Sequence, residues 1–328
     1  MFRDVISRST SLAEWGAMRA EIRNRILATM GSFPGLAFTG SYELLGEYQA
    51  HGLRVMRIRF EAIPGYLTHG VLVLPADLKP KEKRPAVVCI HGTDHELAHK
   101  NVITPDNKPN RAYGIELAQR GCVTVAVDQF GFGEGNAPHK PAEVERWFYS
   151  KFPDWSLDGA RLWIQQCALD VAAKFEGVDA ARFGCIGNSL GGRTVVYLAA
   201  FDERIKAAVA STGVSPNLTN VFRNRAAPNS PSSRLNAEIA RSGIPSFDYQ
   251  ELLALIAPRA VLMIEPWNDA IGCNPLIEAN FRCFEKARFV FELCGASPKL
   301  GLLCHGDGHD TTSIVRQYAY LWLSEHLK

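Results

Sequence analysis

Apolar and polar residues alternate with a period of two toward the end of the stretch Leu53 to Phe60, where Met56, Ile58 and Phe60 fall on one face and Arg57 and Arg59 on the other. A half-buried strand shows this alternation, and Tyr66 to Leu74 follows after the Pro64-Gly65 turn, so two antiparallel strands are expected early in the chain. Ahead of them, Ser11-Leu12-Ala13-Glu14 has the spacing of a capping box and Gly31 follows Met30, which brackets a helix packed outside the core.

A different rhythm begins after the charged link 79–85. Short unbroken apolar runs at 86–90, 122–127, 183–187, 205–210, 259–265 and 288–294 alternate with helical patterns at 112–120, 157–176, 190–200, 250–256 and 312–327. Strands buried on both faces read as unbroken apolar runs, and their alternation with helices predicts an α/β fold with a mostly parallel central sheet and helices on both faces. Gly121 and Gly177 stand where two of the helices are expected to close. Residues 1–328 read as one domain, with an N-terminal helical and antiparallel extension over 1–80. Residues 213–246, rich in Asn, Pro, Ser and Arg, break the rhythm and are expected to insert over the active site.

Composition narrows the function. A hydrophobic share of 47% over 328 residues can bury a large core. With 36 Lys and Arg against 34 Asp and Glu, no overall field draws nucleic acid or an anionic membrane, and a neutral small molecule fits best. No run of 18 or more apolar residues occurs, and MFRDVISRSTSLAEWG has no apolar stretch of signal-peptide length, so the protein is expected to be soluble and cytoplasmic. The eight cysteines form no CxxC pair, and several sit in apolar runs, as Cys89 does in 86–90; they read as small buried hydrophobes in a reducing compartment.

The chemistry centres on Gly187-Asn188-Ser189-Leu190-Gly191, where an apolar strand passes through a glycine turn into a helix. A serine nucleophile in such a turn is strained, and the positions two before and two after it must be small, as Gly187 and Gly191 are. The bland alternative is a serine that merely caps the helix. On this fold a triad runs in the order Ser, acid, His, because acid and base arise from loops after later strands. Asp269 follows the run 259–265 and is favoured as the acid over Glu265, which lies nearer the strand end. His309, preceded by Gly308 and next to the last helix, is favoured as the base over His305, which would instead orient the loop or line the acyl pocket with His91 and Trp267. The two oxyanion N–H donors are expected from Leu190 and from Thr93, after the strand 86–90. His91, His95 and His99 have a spacing that could hold zinc on a helix, but Gly92 directly after the strand makes this a loop, and no metal is expected. Residues 128–135 lack the Lys-Ser/Thr of a phosphate-binding loop and read as a tight turn beside the site.

With these residues placed, the chain resembles the dienelactone hydrolase-like and acetyl xylan esterase-like branch of the α/β-hydrolases. The resemblance rests on the N-terminal helix with Trp15, Ile90-His91-Gly92, Leu117 to Gly121, Val127-Asp128 followed by Gly131 and Gly133, Gly187 to Gly192, Leu255 to Arg259, and Gly308-His309. It implies an α/β-hydrolase fold and, residue by residue, the triad Ser189, Asp269 and His309. Two departures stand out: residues 270–275 lengthen the segment after Asp269, and Thr93-Asp94-His95 follows His-Gly where relatives have small residues. Dienelactone hydrolase uses a cysteine nucleophile, so the serine here points to an esterase. The resulting expectation is a cofactor-independent carboxylic ester hydrolase acting on a small-molecule ester, a small acyl group on a carbohydrate or similar alcohol, with homo-oligomer formation left open. A serine peptidase or amidase and a C–C bond hydrolase could be built on the same triad, and a catalytically silent scaffold is the non-enzyme alternative.

Overall fold

The computed structural model describes residues 3–136, 140–218, 233–269 and 277–328. Helix α1 (Leu12–Met30) opens as its sequence requires: the Ser11 side chain accepts from the Glu14 N–H, and Glu14 in turn accepts from the Ser11 N–H. Strands β1 (Glu43–Ala50), β2 (Leu53–Ile63) and β3 (Tyr66–Leu74) form an antiparallel meander, one strand more than the sequence predicts. β1 escaped notice because both its faces are largely exposed, so it has no apolar face to read.

Strands β4 (Arg84–Ile90), β5 (Val123–Val127), β6 (Val178–Asn188), β7 (Ile205–Ser211), β8 (Ala260–Pro266) and β9 (Leu300–His305) run parallel to one another, giving a nine-stranded sheet of order β1-β2-β3-β5-β4-β6-β7-β8-β9. Alternate side chains supply two cores: Ala86, Val88 and Ile90 of β4 face one, Val87 and Cys89 the other. The first is covered by α1, α4 (Leu157–Lys174), α5 (Leu190–Phe201) and, beyond it, α7 (Tyr249–Ile256) and α8 (Ile277–Leu293); the second by α2 (Tyr113–Gln119) and α9 (Ser313–His326). Two further helices, α3 (Pro141–Lys151) and α6 (Ser233–Ser242), lie in segments whose folding was not predicted.

One predicted strand is corrected. Residues 288–293 complete α8 instead, Cys294 lies in the turn after it, and the last strand is β9. The buried residues Ala279, Asn280, Cys283, Ala287, Val290 and Phe291 recur at helical spacing, a stripe that the apolar cluster 289–291 obscures in a short window. Of the expected insertion 213–246, residues 219–232 lie outside the described residues; the rest holds α6, and its start is fastened to the N-cap of α7, where Asp248 accepts the N–H groups of Asn217 and Leu218. Among the described residues no helix is long and apolar enough to cross a membrane.

Candidate active site

The chain leaves β4 to pair β5 on one side and then returns to add β6 on the other, so a crevice opens at the carboxyl ends of β4 and β6. Ile90 pairs with Gly187 there, which sets the loop from His91 directly against Asn188 and Ser189. Ser189 has φ 58° and ψ −123°, the left-handed region, and its N–H donates to Ser211 O at 2.9 Å and Thr212 Oγ1 at 3.0 Å, bonds that hold the strained turn. Glycine is obligatory on both sides: a Cβ on Gly187 would lie 2.5 Å from Gly191 C, and one on Gly191 2.2 Å from Ile90 O. Leu190 is the first residue of α5, where a helix N–H has no partner within the helix. Gly92 lies against Ser189, since a Cβ added there would sit 3.5 Å from Ser189 Cβ, and the exposed Thr93 follows it.

Asp269 and His309 come from the loops after β8 and β9 and meet, with His309 Nδ1 2.9 Å from Asp269 Oδ2. A carboxylate only accepts, so Nδ1 carries the proton and Nε2 is left as the basic nitrogen. Asn268 sets this pair by bridging the loops: its Nδ2 donates to Gly306 O at 2.6 Å and its Oδ1 accepts the Gly308 N–H at 2.9 Å. On the other side Arg111 donates to His309 O at 2.7 Å and to Thr311 Oγ1 at 3.1 Å. Among the described residues the Ser189 hydroxyl makes no hydrogen bond, a contact that free enzymes often close only when substrate binds.

Glu265 turns elsewhere. It is fully buried in β8, its Oε1 accepts the Val214 N–H at 3.1 Å, and burial pushes its carboxyl well above the usual 4.5, with the charge of Asp269 adding to the effect. Glu265 Oε2 and Asn280 Oδ1 are both buried without a hydrogen-bond partner among the described residues, and burial favours the neutral form of the carboxyl.

His91, expected to bind substrate, has its side chain enclosed by the protein. It is fully buried and both ring nitrogens are engaged: Nδ1 donates to Gly92 O at 2.7 Å and Nε2 accepts the Gln129 N–H at 3.0 Å. Burial lowers its pKa to about 4 and keeps it neutral, so it holds the loop that carries Thr93. His305 has Nδ1 accepting from the Asp307 N–H at 3.3 Å, a buried Nε2 without a partner, and a pKa lowered by burial. Trp267 is 65% exposed, with its indole over Gly306 and its backbone N–H donating to His305 O at 3.0 Å. The three spaced histidines diverge: His95 stacks on Phe132 at 4.7 Å, and His99 bonds the buried Asp128 at 2.6 Å. Sequence reasoning missed Gln129, Thr212, Asn268 and Thr311, whose only signal is a polar residue just beyond a strand or beside a proposed catalytic residue.

The chain is similar to several known proteins. The Bacillus subtilis (strain 168) protein named "Putative hydrolase YtaP" is 25% identical over 270 residues, covering 76% of this chain and 82% of that one. Among solved structures, a glucuronoyl esterase from Solibacter usitatus superposes with a TM-score of 0.77 at 17% identity, over 100% of this chain and 98% of its own. A "putative acetyl xylan esterase" from Bacteroides fragilis does so with a TM-score of 0.67 at 17% identity, over 92% and 77%. The Abhydrolase family's sequence model matches residues 3–285, and with the nine-stranded sheet and the serine turn at its switch point the chain belongs to that family, as a hydrolase of the α/β fold.

Proposed function

We propose that the protein is a serine carboxylic ester hydrolase with Ser189 as nucleophile, His309 as general base and Asp269 as the acid that orients it. The observation that carries this reading is the 2.9 Å bond between His309 Nδ1 and Asp269 Oδ2, beyond the strand ends that also present Ser189 at positive φ. His309 Nε2 takes the Ser189 proton as Oγ attacks the ester carbonyl, forming a tetrahedral oxyanion. The N–H groups of Leu190 and Thr93 receive that oxyanion. His309 returns the proton to the departing alcohol, leaving an acyl-Ser189; water, activated by the same nitrogen, then releases the acid and restores the serine.

A neutral, carbohydrate-like ester is the substrate class we favour, supported by the glucuronoyl and acetyl xylan esterases that share the fold and by the balanced charge of 36 basic and 34 acidic residues. Trp267 and His305 would line the alcohol or acyl side. The free, buried thiols of Cys89, Cys167, Cys185 and Cys283 support a cytoplasmic location. The test is a panel of short-acyl esters, acetylated sugars and uronate methyl esters, run beside an aminoacyl amide and a vinylogous diketone. Turnover of the esters with fluorophosphonate labelling at Ser189 supports the reading, and turnover of the amide or diketone alone overturns it.

A further inference from the structure

Gln129 stands just beyond β5, is fully buried, and among the described residues hydrogen-bonds neither Ser189 nor the His309–Asp269 pair. Its backbone N–H and both polar atoms of its side chain are nevertheless spent on the two segments that carry the proposed oxyanion donors, while its backbone O accepts the Phe132 N–H at 3.1 Å. Its backbone N–H donates to His91 Nε2 at 3.0 Å, and its side-chain Nε2 donates to His91 O at 2.6 Å. Its Oε1 accepts from Thr194 Oγ1 at 2.7 Å, and the same hydroxyl lies 3.0 Å from Leu190 O. Through Thr194 this one residue therefore ties the loop His91-Gly92-Thr93 to α5.

We propose that Gln129 is a positioning residue for the oxyanion site, setting the separation between the Thr93 and Leu190 N–H groups. The inference rests on the ester-hydrolase reading. The side-chain amide is what makes the role specific to glutamine. The amide must present its NH2 to the carbonyl of His91 and its oxygen to the Thr194 hydroxyl, and a carboxylate of the same shape would set oxygen against oxygen at His91. The backbone bond to His91 Nε2 also fixes the tautomer, so that Nδ1–H is free to hold Gly92 O and with it the turn that leads to Thr93. The glycines leave the network no slack: Gly191 packs with its Cα face on Ile90 O and His91 O, where a Cβ would come within 2.2 and 2.7 Å. A shift of the loop is thus transmitted to α5, and a displacement of about 1 Å in such a site costs on the order of 10²-fold in rate.

The experiment compares wild type with Gln129→Glu, Thr194→Val and Thr194→Ser, using one short-acyl ester, a trifluoromethyl ketone that forms a tetrahedral oxyanion adduct, and the product acid as a ligand without one. The Gln129→Glu and Thr194→Val variants should lose about 10²-fold in kcat with KM within about threefold. Affinity for the ketone should fall by the factor lost in kcat/KM while product affinity holds, and Thr194→Ser, which keeps the hydroxyl, should restore turnover. Unchanged kcat, or equal losses of ketone and product binding, overturns the proposal. If Gln129→Glu does not fold, the Thr194 pair decides the same question from the other end of the bond. Failure of the ester-hydrolase reading looks different, because wild type itself would then neither hydrolyse esters nor bind the ketone.

Discussion

Asn188, the residue before the proposed nucleophile, donates through Nδ2 to Thr311 Oγ1 at 3.2 Å, two residues beyond the proposed base. The same amide donates to Thr212 Oγ1 at 2.7 Å, and Thr311 Oγ1 lies 3.3 Å from Ser211 Oγ. This buried cluster joins the serine turn to the His309 loop. Thr311→Val keeps the shape and removes the hydroxyl, leaving an Arg111 donor and part of the Asn188 amide unmatched. The expected outcome is a loss of about 1–3 kcal/mol in urea denaturation and roughly a tenfold drop in kcat with little change in KM. Full turnover at reduced stability would show that the cluster supports the fold and does not set the loop.

Ser189→Ala should fold as wild type, since only a hydroxyl leaves a turn held by its backbone N–H. Ester hydrolysis and fluorophosphonate labelling should both disappear. Substantial remaining hydrolysis in a preparation free of wild type would end the covalent mechanism.

The two acids of β8 and its loop should separate sharply. Asp269→Asn is expected to lower kcat by about 10⁴-fold through the wrong His309 tautomer, whereas Glu265→Gln, which keeps a neutral donor in the same place, should retain turnover within a few-fold. A pH effect follows from the raised pKa of Glu265. The folded state favours its protonated form, so this stability is fully present below the usual 4.5 and declines as pH rises from there toward the raised folded value. Denaturant titrations at pH 4 and pH 8 should therefore show Glu265→Gln gaining on wild type at the higher pH. If Glu265→Gln is the more damaging change to catalysis, the carboxylates have been assigned the wrong way round.

His309→Ala should abolish hydrolysis, while His305→Ala should lower it modestly or change acyl preference, because the His305 imidazole takes its hydrogen bond from its own loop, at the Asp307 N–H. Kinetic constants for both variants on one ester decide the assignment; near-normal turnover in His309→Ala refutes it.

Local chemistry made several elements legible without coordinates. The Ser11–Glu14 reciprocal cap, the strands β2 and β3, the apolar runs of β4 to β8 and the glycines around Ser189 each depend on residues adjacent or nearly adjacent in sequence, so their physics is complete within a short window. Chain order also sufficed to nominate Asp269 and His309, because the loops of a parallel sheet emerge at one edge in sequence order. Where two structures satisfy the same short pattern, only packing chose between them. The run 288–294 is as apolar as a strand, and became helix as far as Leu293 because residues from Ala279 to Phe291 share one buried stripe. Glu265 and Asp269 are carboxylates at the end of an apolar run and just past it, and their difference lies in what surrounds them: Val214 and Asn280 enclose the first, His309 the second. His91 and Gln129 belong to the same class, since a side chain's partners 38 residues away are set by the register of β4 against β5 and β6, a relationship between distant segments that no window of sequence contains.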